Sequence, residues 1–170
     1  MVLEESNGRT KIHFLGGLGD ACLIRKYPVI LGPLANIFQI ASIGDIYGYE
    51  EFREQSRIAD LLNIIKKVRL KGDLDKKVES DIITGLSNNS IRYFNMDASK
   101  PALSPEYLMY IGKGDIVDVS VPNRFHIILA KQVLEKTQAH LVVEKPLSSS
   151  LDEVLEFKDY LTKYGFGEKK

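Results

Sequence analysis

Tryptophan is absent, cysteine occurs once, and neither sign of charge is in excess: 23 Lys plus Arg stand against 23 Asp plus Glu in 170 residues. A lone cysteine, Cys22, excludes an internal disulfide and any zinc site built on thiolates, and no metal site is expected. It accords with a reducing compartment, and the chain is read as cytoplasmic. Balanced charge supplies no field to draw the chain to nucleic acid. Met1 to Thr10 is polar, without the apolar centre of a signal peptide. No apolar stretch approaches the roughly 20 residues of a spanning helix. Neither nucleic acid nor membrane is therefore an expected partner. What the chain does have is 44% hydrophobic residues, enough to fill the core of one domain of ordinary size.

Strands and helices alternate along the sequence. Ile12 to Leu15 reads as a strand broken by Gly16, Gly17 and Gly19; Ala21 to about Leu34 has helical apolar spacing, with an irregular first turn forced by Pro28. Ile37 to Ile43 is a second strand ending at Gly44 and Asp45, and Tyr49 to about Val68 a second helix. A further helix is expected over Asp73 to Leu86 and a short strand over Ile91 to Asn95. Ser104 to Ile111 reads as a short helix, Ile116 to Val121 as an apolar strand, and Phe125 to Lys136 as an amphipathic helix showing Ile128, Leu129, Val133 and Leu134 on one face. His140 to Glu144 looks like a buried strand. Ser150 caps a last helix to Tyr164, with Leu151, Val154, Leu155, Phe157 and Leu161 inward. Alternation of this kind requires long right-handed crossovers between parallel strands, hence an α/β doubly wound, Rossmann-like single domain with a core of about residues 11–164 behind a polar tail, 1–10.

The glycine turn Gly16-Gly17-Leu18-Gly19-Asp20 reads in two ways, as a tight structural turn or as a pyrophosphate site where backbone N–H groups and a helix start meet negative charge. It departs from the G-x-G-x-x-G spacing. Gly16 to Pro28 resembles the G-x-x-G-D-L-A-x-x-K-x-x-P signature of glucose-6-phosphate dehydrogenases, with Arg25 followed by Lys26 where that family has its lysine. Those two cations read either as a ligand contact or as a solvated helix face. Ile40 to Arg53 is similar to the same family's V-A-R-S-x-x-S-x-E-E-F-R, and places Gly44 and Asp45 where that family has Arg and Ser. An acid at the end of strand two accepts from ribose hydroxyls, whereas an Arg neutralises a 2′-phosphate, so NAD is favoured over NADP. Asp45 also reads as part of a turn with Gly44 and Gly48.

Asp115-Ile-Val-Asp-Val-Ser-Val-Pro-Asn-Arg-Phe-His126 and His140-Leu-Val-Val-Glu-Lys-Pro-Leu147 closely resemble the D-x-V-x-I-x-T-P-N-x-x-H and H-V-x-x-E-K-P-L segments of the Gfo/Idh/MocA oxidoreductases. The resemblance implies hydride transfer between a nicotinamide and a sugar or sugar phosphate. It implies Pro122, Asn123 and His126 along the cofactor path. It also implies a Glu144-Lys145-Pro146 segment, often with a cis proline, in which Lys145 is the catalytic residue. Outside that context a lysine before proline is a surface residue, and a histidine at a helix start caps or packs. Cofactor contacts are thus expected at Gly16, Gly17, Leu18, Gly19, Asp20, Gly44, Asp45, Pro122, Asn123, His126, Glu144 and Pro146.

In both families a second, catalytic domain follows, and none is expected here. The chain therefore reads as a cofactor half whose open sheet edge calls for a homo-oligomer or a partner chain. The rival reading is a stand-alone or degenerate nucleotide-binding module without catalysis of its own.

Overall fold

The computed structural model describes residues 8–19, 21–45, 91–96 and 102–166. Five strands form one all-parallel sheet: β1 (Thr10–Leu15), β2 (Phe38–Asp45), β3 (Arg92–Asn95), β4 (Ile116–Val119) and β5 (His140–Val143), in the order β3-β2-β1-β4-β5. The helices expected over 49–68 and 73–86 lie outside the described residues. The irregular first turn is a π-helical stretch, Ala21–Lys26, passing into α1 (Tyr27–Ile30), with Pro28, which has no N–H to donate, just past the junction. Then come α2 (Pro105–Tyr110), α3 (His126–Lys136) and α4 (Leu151–Lys163). Ser104 and Ser150 cap α2 and α4, accepting from the N–H groups of Tyr107 and Glu153.

The alternation of β1 divides the core. Ile12 and Phe14 face Leu18, Cys22, Tyr27 and Ile30, whereas Leu15 joins Val117, Val119, Tyr107, Leu129 and Val133 on the other side. Strand β2 is one residue out of step: Ile12 pairs with Ile40 but His13 with Ser42, so Ala41 has no opposite number in β1. That bulge brings Ile40 and Ile43, three residues apart, into the same cluster. The strand also runs on through Gly44 to Asp45 and does not stop at Ile43.

Three further expectations are corrected. Strand β5 ends the described sheet, so it is only half-covered, and Val142 is 46% exposed. On α4 only Phe157 is buried; Leu151 and Leu155 are 72% and 48% exposed. On α3, Leu129 and Val133 point inward, while Ile128 is exposed. No helix among the described residues is long and apolar enough to cross a membrane.

The core holds one polar chain the sequence did not announce. His13, fully buried, lies between Ser42 Oγ (2.8 Å from Nδ1) and Asp115 Oδ2 (2.9 Å from Nε2). A carboxylate only accepts, so Nε2 carries the proton and Nδ1 accepts from the serine hydroxyl, which a neutral ring satisfies. Burial holds the imidazole below its ordinary pKa of 6.5, and Asp115 only partly offsets it. The unfolded chain therefore takes up the proton first. Stability should be full above about pH 6.5 and fall as pH drops toward the folded-state value. Thermal unfolding between about pH 7 and 5 should show this decline in the native chain and a shallower one in His13→Gln. Equal slopes in the two would remove His13 as the cause.

Candidate functional site

The described parts of the segments singled out in the sequence arrive at the C-terminal ends of the strands, the edge where open α/β sheets bind ligands. The glycine turn follows the central strand β1 and is stitched to both neighbours. Gly16 N–H donates to Gly44 O (2.7 Å) and Ser120 N–H donates to Leu15 O (2.8 Å). Gly16 has φ +76°, and a Cβ there would stand 2.7 Å from Ser120 O, so glycine is required twice over. Within the turn Gly19 N–H donates to Gly16 O (3.2 Å), and the buried Tyr27 hydroxyl donates to Gly17 O (2.6 Å). Leu18 is buried beneath it, and Asp20 lies outside the described residues.

Asp45 is 8% exposed and its Oδ2 accepts from Leu18 N–H (2.9 Å). The phase set by the bulge puts Asp45 on the same side as Phe14 and Ile43, which aims its carboxylate into the glycine turn. The acid is therefore the last residue of β2, fixed against the turn. Gly44 contributes its carbonyl to Gly16, and its Cα faces the Met96 sulfur.

Beyond β4, Pro122 leads into a 3-10 turn, Asn123–Phe125, that runs directly into α3. Pro122 is exposed and Asn123 half-buried. His126 is 2% exposed; Nε2 is 2.7 Å from Val121 O and Nδ1 2.9 Å from Pro146 O. It ties the turn after β4 to the segment after β5. Lys145 and Pro146 are exposed, joined by a cis peptide bond.

Of the two cations after the turn, Arg25 is exposed, while Lys26 turns inward. Its ammonium lies 2.7 and 2.8 Å from the two oxygens of Asp118, 2.7 Å from Ser120 Oγ and 2.8 Å from Glu144 Oε1. Burial lowers the lysine pKa, but the bonds to Asp118 and Glu144 outweigh it and hold the ammonium above its ordinary value. The hydrogen bond from Lys26 holds Glu144 below the usual carboxylate range. Cys22, fully buried at the base of this cluster, has its thiol pushed by burial to about 12. Lys26, Asp118 and Ser120 were missed as site residues. The signal for them was present: Asp118 is a carboxylate between buried valines, and Lys26 stands four residues from buried Cys22 on the inward face.

A parallel sheet in this order, with a glycine turn after its central strand and a fixed acid at the end of the next, defines a dinucleotide-binding domain. Residues 81–166 match the Gfo/Idh/MocA family model, described as an oxidoreductase family with an NAD-binding Rossmann fold. That is half of the chain, including both downstream motifs, and the chain belongs to this family. The fold is shared with glucose-6-phosphate 1-dehydrogenase from Mycobacterium avium (14% identity, TM-score 0.65, over 93% of this chain and 34% of that one). It is shared too with a glucose-6-phosphate dehydrogenase solved in complex with glucose-6-phosphate (16% identity, TM-score 0.57, over 95% and 35%). The chain thus spans about a third of the length of these structures. No curated protein sequence matches it.

Proposed function

We propose that residues 11–164 form one dinucleotide-binding unit that prefers NAD to NADP and serves an oxidoreductase acting on a sugar or sugar phosphate. The observation that carries the preference is Asp45, a buried acid held at the end of β2 against the glycine turn. A fixed carboxylate in a partly dry site opposes a phosphate dianion and suits ribose hydroxyls. The chain's residues fit the coenzyme in their placement: the glycine turn leaves the central strand beside that acid, at the C-terminal edge of a parallel sheet. Gly16 to Gly19 would hold the pyrophosphate, Asp45 the adenosine ribose, and Pro122, Asn123 and the Glu144-Lys145-Pro146 segment the nicotinamide end. When bound, the coenzyme supplies a carbon that accepts or donates hydride.

Lys145 is exposed at the end of β5, and its ammonium would hold the substrate oxygen and stabilise charge developing there. The sugar class is supported by the Glu144-Lys145-Pro146 motif and by the fold shared with two glucose-6-phosphate dehydrogenases. Exposed Val142 supports a second copy or another chain against β5.

Calorimetric titration with NAD and NADP tests the reading. The native chain should bind NAD more tightly. Asp45→Asn, which keeps an acceptor for Leu18 N–H but drops the charge, should narrow the preference by about tenfold, roughly 1.4 kcal/mol. No binding of either coenzyme would favour an interaction module instead. An unchanged ratio would remove Asp45 as its determinant.

A further inference from the structure

We infer that Lys26 is a positioning residue: it ties the end of β5 to the end of β4 through Glu144, and thereby sets where Lys145 stands. The bearing of this on chemistry rests on the proposed role of Lys145; the tie itself does not.

Glu144 is shared between two partners. Its Oε1 takes the Lys26 ammonium at 2.8 Å, and its Oε2 accepts from the Lys145 N–H at 3.2 Å. The same ammonium grips both oxygens of Asp118 on β4 and the hydroxyl of Ser120 just beyond it, and Ser120 Oγ in turn donates to Asp118 Oδ1 at 2.5 Å. One cation thus joins the irregular helix start to two strand ends, and the last link of the chain is the backbone of Lys145. The backbone pairing of β4 and β5 reaches only as far as Glu144, whose N–H donates to Val119 O. Beyond it the described ties on the segment are the Glu144 carboxylate, the His126 contact at Pro146 O and the Ser148 hydroxyl, which donates to Glu153 Oε2 and accepts from Ser150 N–H.

Without the cation, Asp118, which is 7% exposed, and Glu144 would be two carboxylates facing each other across the gap that the ammonium fills, a repulsive arrangement that pushes the strand ends apart. A cation serving only to neutralise Asp118 would not need Glu144. Glu144 is the more exposed carboxylate, at 28% of its side chain, and yet it is bonded at the same short distance.

Amide hydrogen exchange on the full chain tests the tie. In Lys26→Met, exchange at the bonded amides of Glu144 and Lys145 should speed up about tenfold or more, while β1 and α3 keep their protection. Lys26→Met with Glu144→Gln should exchange more slowly than Lys26→Met alone, because Asp118 then faces a neutral amide and no second carboxylate. Lys26→Arg should stay close to the native chain. Unchanged exchange at these two amides in Lys26→Met overturns the inference. If that variant unfolds as a whole, Glu144→Gln decides: unchanged exchange there overturns it equally, and faster exchange upholds it. A native chain that binds no NAD would defeat the proposed function and leave this result standing by itself.

Discussion

Gly16→Ala should cost the chain about 3–5 kcal/mol, a loss at the extreme of single substitutions. Two separate penalties meet at this position. The backbone is left-handed, φ +76°, which costs an L-residue about 1–2 kcal/mol. The new methyl would stand 2.7 Å from the carbonyl oxygen of Ser120 and 2.8 Å from the amide nitrogen of Val121, backbone atoms that cannot rotate away. Relief would require β1 and β4 to separate at the edge where Ser120 N–H donates to Leu15 O. Gly114→Ala is the control: φ is +81° but nothing lies within 4 Å of its added methyl, so only the conformational penalty applies. Urea unfolding of both variants should place Gly16→Ala well below Gly114→Ala. Equal midpoints would mean that the contact with β4 is softer than its geometry.

The second large effect is expected at His126. Its ring, 2% exposed, stands between two carbonyl oxygens, Val121 O and Pro146 O, and both are acceptors. His126→Leu fills much of the same volume and offers no donor. A neutral imidazole has a single N–H, so one of the two carbonyls loses its donor, and a loss of about 1–3 kcal/mol is expected. His126→Gln, with an amide that donates twice, should recover part of it. If leucine and glutamine prove equally tolerated, the histidine packs there and does not strap the two segments together.

Much of the fold was legible because the strands are short and glycines, prolines and caps punctuate the chain. Ser104, Ser150 and Pro28 each mark a helix start where the structure has one. The bulge at Ala41 was not legible: Ile37 to Ile43 is apolar enough that no alternation shows the phase, and only pairing with β1 reveals the slip. Strand β5 read as buried because Leu141, Val142 and Val143 are all apolar; that it lies at the end of the described sheet is a fact of topology and not of composition. For the candidate site, the described motif residues gather at one edge of the sheet, because glycine, proline and acid at strand ends are local signals. Lys26 escaped because a lysine beside an arginine resembles a solvated face. Its reason for turning inward, Asp118, is 92 residues away in sequence.

The sole thiol of the chain lies beneath that lysine, wholly enclosed and protonated across the physiological range, its pKa about 12. Only the thiolate reacts readily, so a thiol reagent meets a competent sulfur almost exclusively in molecules that have opened. The protein thus carries a single internal clock: the rate at which Cys22 is modified counts openings of the helix start over the strand ends, with no label to be engineered and no second cysteine to confuse the signal.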